Sequence, residues 1–252
     1  MWRRHLLGGA FAACTCPCFA QSARIVQSPG CVLVDSEAEA LYPVSTATAS
    51  MQATRGDEAI IARSGNRDFD MALAQTLFKL SKALDVSPGF AFYDDRAGLN
   101  AYATRVVRLN GADGTVLFGQ GLLQRLMRGK ESPEVAVTSV CAHEFGHILQ
   151  FKHNLASRVR NGDRTVKRTE LQADFFSGYF AGLRKKERPD YPAAVGALAQ
   201  YNVGDNSVNS SQHHGTREER GAAFVRGYEV AYKENKPLGD AIQVSINYAS
   251  SL

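Results

Sequence analysis

One helix-forming run constrains the fold of this chain more than any other feature. Residues 135–151 are rich in valine, phenylalanine, isoleucine and leucine, and are too apolar for a helix on the surface. Ser132, Pro133 and Glu134 precede the run and supply an N-cap, a proline at the first helical position and an acid in the first turn. We therefore predict a helix over residues 133–152. Because the apolar run is buried, the two histidines and one glutamate within it need partners.

The spacing of these polar residues indicates a metal site. His143, Glu144 and His147 form the pattern HExxH. Residues four apart on an α-helix are rotated by about 400° and project from one face, so His143 and His147 can direct two imidazole nitrogens at one ion. Glu144 lies beside that ion, where its carboxylate can take a proton from a water molecule that the metal has made more acidic. The pattern predicts two metal ligands and a general base.

A catalytic zinc site takes three protein ligands, and two residues compete to be the third. His153 stands where metzincins place a third histidine, but Gln150 replaces the glycine of that pattern and no methionine follows Met127. Glu170 and Asp174 lie four apart on one face of a second, apolar predicted helix, where two acids are costly unless they are paired. Zinc would satisfy Glu170, and a metal-bound histidine would satisfy Asp174. We therefore favour Glu170.

The two motifs together resemble those of the gluzincin zinc metallopeptidases. HExxH followed by Glu170-x-x-x-Asp174 on a second helix is similar to the HtpX/BepA type of bacterial enzyme and to the small soluble minigluzincins. The resemblance implies a zincin-like domain that binds one Zn²⁺ ion through His143, His147 and Glu170. It also implies that Glu144 is the base and that Asp174 orients a ligand. The similarity covers about residues 66–235.

Two further segments carry the resemblance. Asn100-Ala101-Tyr102-Ala103 is similar to the Asn-Ala-x-Ala element on the strand at the edge of the cleft, to which an extended peptide can add; an ordinary internal strand is the alternative. His214-Gly215-Thr216 resembles a segment whose histidine lies near the zinc, although Gly215 stands where proline is commoner and the adjacent His213 leaves the register open. We expect His214 to stabilise an oxyanion, with a structural histidine as the alternative.

An arginine follows this segment. In the enzymes that the chain resembles, the corresponding arginine braces the site. Arg220 could hold Asp174, hold the loop around His214, or lie on the surface of its helix.

The remaining sequence favours an α+β fold. An amphipathic helix is predicted over residues 66–85, and strands over 90–93, 105–109 and 115–118. Residues 216–219 form a capping box that begins a last long helix. Helices and strands are segregated along the chain, which is typical of α+β domains, and we expect a small edge sheet packed on a mainly helical core.

The first residues read as an export signal. Arg3 and Arg4 precede a short apolar stretch that ends in small residues at Ala20, so we predict a signal peptide over residues 1–20, with some likeness to a twin-arginine signal. Cys14 as a lipidated cysteine is the alternative. We expect an exported protein, periplasmic or secreted. Beyond the leader, no apolar run approaches the roughly 18 residues of a transmembrane helix.

After the leader, the chain divides into a loosely structured segment over residues 21–65 and the metallopeptidase domain over 66–252. Two cysteines remain, Cys31 and Cys141, and in an oxidising compartment two cysteines usually form one disulfide; a buried free thiol at Cys141 is the alternative. The formal charge of +4 includes the two leader arginines, so nothing suggests a nucleic-acid partner.

These features predict a zinc-dependent endopeptidase that acts on peptide or protein substrates. A zinc-stabilised binding or chaperone-like envelope protein that does not cut is the alternative. A base beside an open metal position counts against it, because a purely structural site gains nothing from that base. A latent enzyme, with the 21–65 segment or a loop over the metal, is a third possibility.

Overall fold

The computed structural model describes residues 32–34, for which only the backbone is considered, together with residues 56, 58–160, 162–208 and 210–252. The predicted signal peptide, Cys14 and Cys31 lie outside the described residues. In chain order the elements are β1 (Val32–Val34), β2 (Ile60–Ile61), α1 (Arg67–Leu84), β3 (Gly89–Tyr93), β4 (Ala101–Thr104), β5 (Thr115–Gly119), α2 (Gln120–Met127), α3 (Pro133–His153), α4 (Ala156–Arg160), α5 (Lys167–Glu187), α6 (Ala193–Asn202), α7 (Arg217–Tyr232) and α8 (Leu238–Ser250).

The architecture is α+β, as predicted. A mixed sheet with the strand order β1-β4-β5-β3-β2 comes from the first half of the chain, and α2 to α8 follow it. β1 is parallel to β4, β4 is antiparallel to β5, β5 is parallel to β3, and β3 is antiparallel to β2. The helix predicted over residues 133–152 is α3, which packs against β4, β5 and α5. In the part of the chain that the structure describes, no helix has both the length and the apolar character to span a bilayer.

The prediction of a free edge strand at residues 100–103 requires a correction. β4 begins at Ala101, one residue later than predicted, and is buried throughout. β1 pairs along the side of β4 that faces away from β5, with Val32 opposite Tyr102 and Val34 opposite Thr104. The backbone groups of an edge strand readily pair with another segment, and here that segment comes from this chain. Residues 21–65, which we expected to be loosely structured, therefore contribute both β1 and β2.

A second correction concerns residues 105–109, which were predicted to be a strand and are a loop. Val106, Val107 and Leu109 are exposed there. The hydroxyl of Thr115 takes the place of a strand partner: it donates to the Val106 carbonyl at 2.6 Å and accepts from the Arg108 backbone N–H at 3.2 Å. The alternating pattern of the sequence does not reveal this local competition for the backbone.

The close approach of α5 and α7 positions the functional side chains. A Cβ atom on Gly178 would lie 1.8 Å from the Phe224 carbonyl oxygen, and one on Gly227 would lie 1.8 Å from the Phe175 carbonyl oxygen. Each glycine therefore faces backbone of the other helix, at a separation that no side chain allows. This contact brings Arg220 on α7 close to α5.

The thiol of Cys141 is free and fully buried. The free thiol agrees with the alternative that we considered; the disulfide with Cys31 stays a prediction, because Cys31 lies outside the described residues. Burial in the apolar interior of α3, together with the nearby Glu144 carboxylate, raises the pKa of this thiol. The thiol is therefore unreactive at neutral pH.

Candidate metal centre

The middle of α3 is buried on every side, which is unusual for a helix that carries ionisable groups. All residues from Ser139 to Phe151 are buried, and the side chains of His143, Glu144 and His147 have no accessible surface. Apolar neighbours from the sheet and from α5 explain this burial. The polar groups on α3 therefore depend on partners within the protein.

Three side chains converge as the two motifs predicted. The Nε2 atoms of His143 and His147 are 3.0 Å apart. One oxygen of Glu170 lies 3.4 Å from His143 Nε2 and the other lies 3.4 Å from His147 Nε2. A tetrahedral zinc ion with bonds of about 2.0–2.1 Å separates its ligand atoms by about 3.3–3.4 Å. This buried group can therefore hold one metal ion.

The bonding of Glu170 tests whether a metal fits. Both carboxylate oxygens are buried, and each lies 3.4 Å from an imidazole nitrogen without the geometry of a hydrogen bond. A fully buried carboxylate that accepts no hydrogen bond lowers the stability of the fold unless a cation lies near it. A divalent cation held by His143, His147 and Glu170 would compensate the buried carboxylate, and two imidazoles with one carboxylate are a donor set that zinc accepts.

The charged neighbours of Glu170 and His143 shift the pKa values of both groups. Burial alone would raise the pKa of Glu170, but His147, His143 and His214 hold it well below its usual value. Burial likewise favours the neutral form of His143, but the Asp174 and Glu170 carboxylates outweigh that effect and raise the pKa of His143 to about 9. A proton on His143 therefore competes with a metal for the same nitrogen.

His143 is held by an ionic network. Its Nδ1 donates to Asp174 Oδ1 at 2.7 Å, as predicted for an orienting carboxylate. Arg220 donates to the same carboxylate twice, from Nε at 2.7 Å and from Nη2 at 2.9 Å. Arg220 therefore holds Asp174, which is one of the roles that we considered for it. Gln200 accepts a further bond from Arg220 at 3.3 Å.

His147 is held by neutral groups instead. Its Nδ1 bonds to Gln150 Oε1 at 2.8 Å, and Gln150 also contacts the Thr169 carbonyl and Gln172. Sequence reasoning missed this role, because Gln150 entered only as an argument against a metzincin pattern. The signal that could have revealed it is local: Gln150 lies three residues after His147 on the same apolar helix.

The loop before α7 places both candidate histidines in the interior. His213 Nδ1 bonds to Asp205 Oδ1 at 2.8 Å, and the His214 backbone N–H donates to Asp205 Oδ2 at 2.9 Å. Of the two, His214 is close enough to Glu170 for each to influence the other's pKa, which favours the predicted register. Gly215 has a φ of 102°. Proline cannot adopt this angle, which explains why glycine stands where proline is commoner.

The other predicted residues are not members of the metal-ligand group. His153, the rejected third ligand, is exposed at the end of α3. The Tyr102 side chain packs edge-on against Tyr93 and forms a short hydrogen bond with Glu58. Asn100 is buried, and its backbone N–H donates to Asp95, which the sequence analysis did not consider. Asp95 also accepts from two backbone N–H groups at the start of α2, so its role is structural.

Comparison with known proteins adds no assignment. No family model matches the chain, and no curated protein or solved structure matches it either. The case for a function therefore depends on the chemistry of the buried group. Two imidazoles, a carboxylate and an adjacent glutamate are the components of a hydrolytic metal site.

Proposed function

We propose that this protein is a zinc-dependent endopeptidase with a zincin-like domain of the gluzincin type. The observation that carries the proposal is the convergence of His143, His147 and Glu170 at ligand-to-ligand separations of 3.0 to 3.4 Å, with Glu144 on the same turn of α3. A purely structural site has no use for a buried glutamate beside its ligands. The resemblance of the HExxH and ExxxD motifs to those of gluzincins supports the same conclusion.

Each side chain has a role that follows from its position. His143, His147 and Glu170 hold the ion, which when bound supplies a Lewis acid that acidifies water and polarises a peptide carbonyl. Glu144 accepts the proton of the attacking water and passes it to the leaving amine. Asp174 fixes the ring of His143 with Nε2 towards the metal, and Arg220 holds Asp174 in place.

His214 is suited to stabilise negative charge on the reacting carbonyl oxygen. Burial lowers the pKa of His214, the Arg220 guanidinium lowers it further, and the Glu170 and Asp205 carboxylates oppose the shift without cancelling it. The imidazole is therefore neutral at pH 7 and donates one hydrogen bond. A neutral donor aimed at a developing oxyanion contributes to catalysis without neutralising the nearby carboxylates.

The sheet suggests where a substrate binds. An extended peptide could add to β4 as a strand, because main-chain hydrogen bonds accept many sequences. β5 covers one side of β4 and β1 covers the other, so the peptide would take the place of residues 32–34. This arrangement favours loose sequence specificity and a form in which the protein's own segment competes with substrate. The predicted leader supports export to the periplasm or the cell exterior.

Replacing the base separates hydrolysis from metal binding. Glu144→Gln should keep zinc, because the three ligands remain, and should lower the rate of peptide cleavage by about 10²- to 10⁴-fold, the usual contribution of a general base. The measurement is cleavage of a peptide library or casein by the zinc-loaded protein, with and without a chelator. Zinc content is measured in parallel.

Glu134→Gln is the matched control, since Glu134 lies exposed in the first turn of the same helix. It should leave the cleavage rate unchanged. Normal activity in Glu144→Gln would remove Glu144 from the mechanism. If the wild-type protein binds zinc but cuts no peptide, the chain is a zinc-stabilised binding protein instead.

A further inference from the structure

The orientation of the Gln150 amide is fixed by a backbone carbonyl. Its Nε2 lies 2.7 Å from the Thr169 carbonyl oxygen, which can only accept a hydrogen bond. The amide nitrogen must therefore face Thr169, and the amide oxygen must face His147, whose Nδ1 is 2.8 Å away. An oxygen in that position accepts, so Nδ1 of His147 carries the proton. The lone pair of Nε2 is then directed at the metal-ligand group.

A backbone carbonyl on α8 fixes the direction of the hydrogen bonds between Ser245, Gln172 and Gln150. The Ser245 hydroxyl donates its single hydrogen to the Ile242 carbonyl oxygen at 2.7 Å. It therefore accepts from Gln172 Nε2, which lies 2.9 Å away. Gln172 consequently turns its own oxygen towards Gln150 Nε2 at 3.0 Å. The hydrogen bonds therefore all run in one direction. His147 donates to Gln150, Gln150 to Gln172, Gln172 to Ser245, and Ser245 to the Ile242 carbonyl.

We propose that Gln150, Gln172 and Ser245 form a positioning relay that sets the tautomer of His147 and thereby makes zinc affinity depend on the C-terminal helix. The three side chains are fully buried, so water cannot replace a missing bond. The relay also joins the metal-bearing helices, since Thr169 and Gln172 flank Glu170 on α5 while Gln150 lies on α3. The inference rests on the proposed metal site.

The tautomer matters because a proton on Nε2 competes with the ion for the same lone pair. His143 Nε2 and His147 Nε2 are 3.0 Å apart, and an N–H on either would occupy the position of the ion. Without the Gln150 oxygen, His147 would lose the bond that favours Nδ1–H. Loss of such an outer partner typically lowers metal affinity by about 10- to 100-fold.

The test measures zinc affinity of the full chain by competition with a chromophoric chelator, alongside the thermal unfolding of the metal-free protein. Gln150→Leu should weaken zinc binding by about 10- to 100-fold. Gln172→Leu should also weaken it, because Gln150 loses one of its two anchors. Gln172→Glu should stay close to wild type, because burial favours the neutral carboxylic acid, whose carbonyl oxygen accepts from Gln150 and whose O–H donates to the Ser245 hydroxyl.

Ser245→Ala and Ser250→Ala form a matched pair on α8. Both remove a hydroxyl that donates to a backbone carbonyl, but only Ser245 accepts from Gln172. Zinc affinity should fall in Ser245→Ala and remain unchanged in Ser250→Ala.

A packing role alone would lower the unfolding temperature in both Gln172 variants and leave the affinity of the folded protein unchanged. Equal loss of affinity in Gln172→Leu and Gln172→Glu would overturn the relay, as would normal affinity in Gln150→Leu. Because the readout is binding, inactivity of the wild-type protein leaves this inference standing, whereas a wild-type chain that binds no zinc overturns it together with the metal site.

Discussion

The two metal-binding histidines are held by opposite kinds of chemistry. His143 donates to a carboxylate that also receives two bonds from a buried arginine. His147 donates to a neutral amide whose orientation two carbonyls determine. We call these the ionic half and the amide half of the site. When a metal is bound, both halves keep the proton of each imidazole on Nδ1 and leave the Nε2 lone pair for the ion.

Mutations should therefore affect the two halves differently, although both hold an imidazole in the same way. In the ionic half, removing one partner leaves a buried charge, so stability should suffer most. In the amide half, removing one partner leaves only a neutral polar group, which costs less, but the direction of the hydrogen bonds is lost. We therefore expect mutations in the ionic half to act mainly on folding and mutations in the amide half to act mainly on metal affinity.

The largest predicted effect tests the ionic half. Arg220→Met removes the cation that holds Asp174 and should lower the free energy of unfolding of the metal-free protein by about 3–5 kcal/mol, because a buried carboxylate is left without its charged partner. Urea denaturation measures the change. Gln172→Leu, in the amide half, should cost about 1–3 kcal/mol by the same method. Equal losses in the two variants would contradict the distinction between the halves.

A second prediction alters the ionic half without touching a polar group. Gly227→Ala places a methyl group 1.8 Å from the Phe175 carbonyl oxygen, so α7 must move away from α5 and carry Arg220 with it. The free energy of unfolding should fall by about 1–3 kcal/mol or more, as in other overpacked interiors. The measurement is again urea denaturation.

Gly221→Ala controls for this change on the same helix. Its nearest neighbour would be Tyr201 at 3.5 Å, an ordinary contact, and alanine favours a helix more than glycine does. Its stability should equal or exceed that of the wild type. A Gly227→Ala protein as stable as Gly221→Ala would show that the close contact of α5 and α7 does not hold the ionic half together.

The sequence predicted the site where the information is local. His143, Glu144 and His147 belong to one helix, as do Glu170 and Asp174, and the helical period alone determines which of them share a face. The same applies to the capping box at Thr216 that begins α7.

The parts that escaped prediction depend on segments far apart in the chain. Gln150, Gln172 and Ser245 come from three helices, and neutral side chains leave no charge pattern that would indicate their pairing. β1 joins β4 across about 70 residues, and a short strand carries too little alternation to reveal its partner. The direction of the amides follows only from which carbonyls they meet after folding.

A further prediction for the ionic half is a pH dependence of the stability. The pKa of His143 is raised to about 9 in the folded, metal-free protein, against an ordinary value of 6.5. The folded state therefore binds more protons than the unfolded state in this interval. The resulting stability is fully present below pH 6.5 and is lost as the pH rises to 9, by no more than about 1.4 kcal/mol per pH unit for one proton. Urea midpoints at pH 6, 7.5 and 9 measure the loss.

Asp174→Asn identifies the source of this pH dependence, because Asp174 is the strongest of the groups that raise the pKa of His143. The fall in stability between pH 6.5 and 9 should shrink in that variant and should disappear from the wild-type protein in excess zinc, since the metal takes the place of the proton. Gln150→Leu should leave the fall in place, because Gln150 carries no charge. A loss of the pH dependence in Gln150→Leu would mean that the two halves are coupled through the imidazoles and do not act independently.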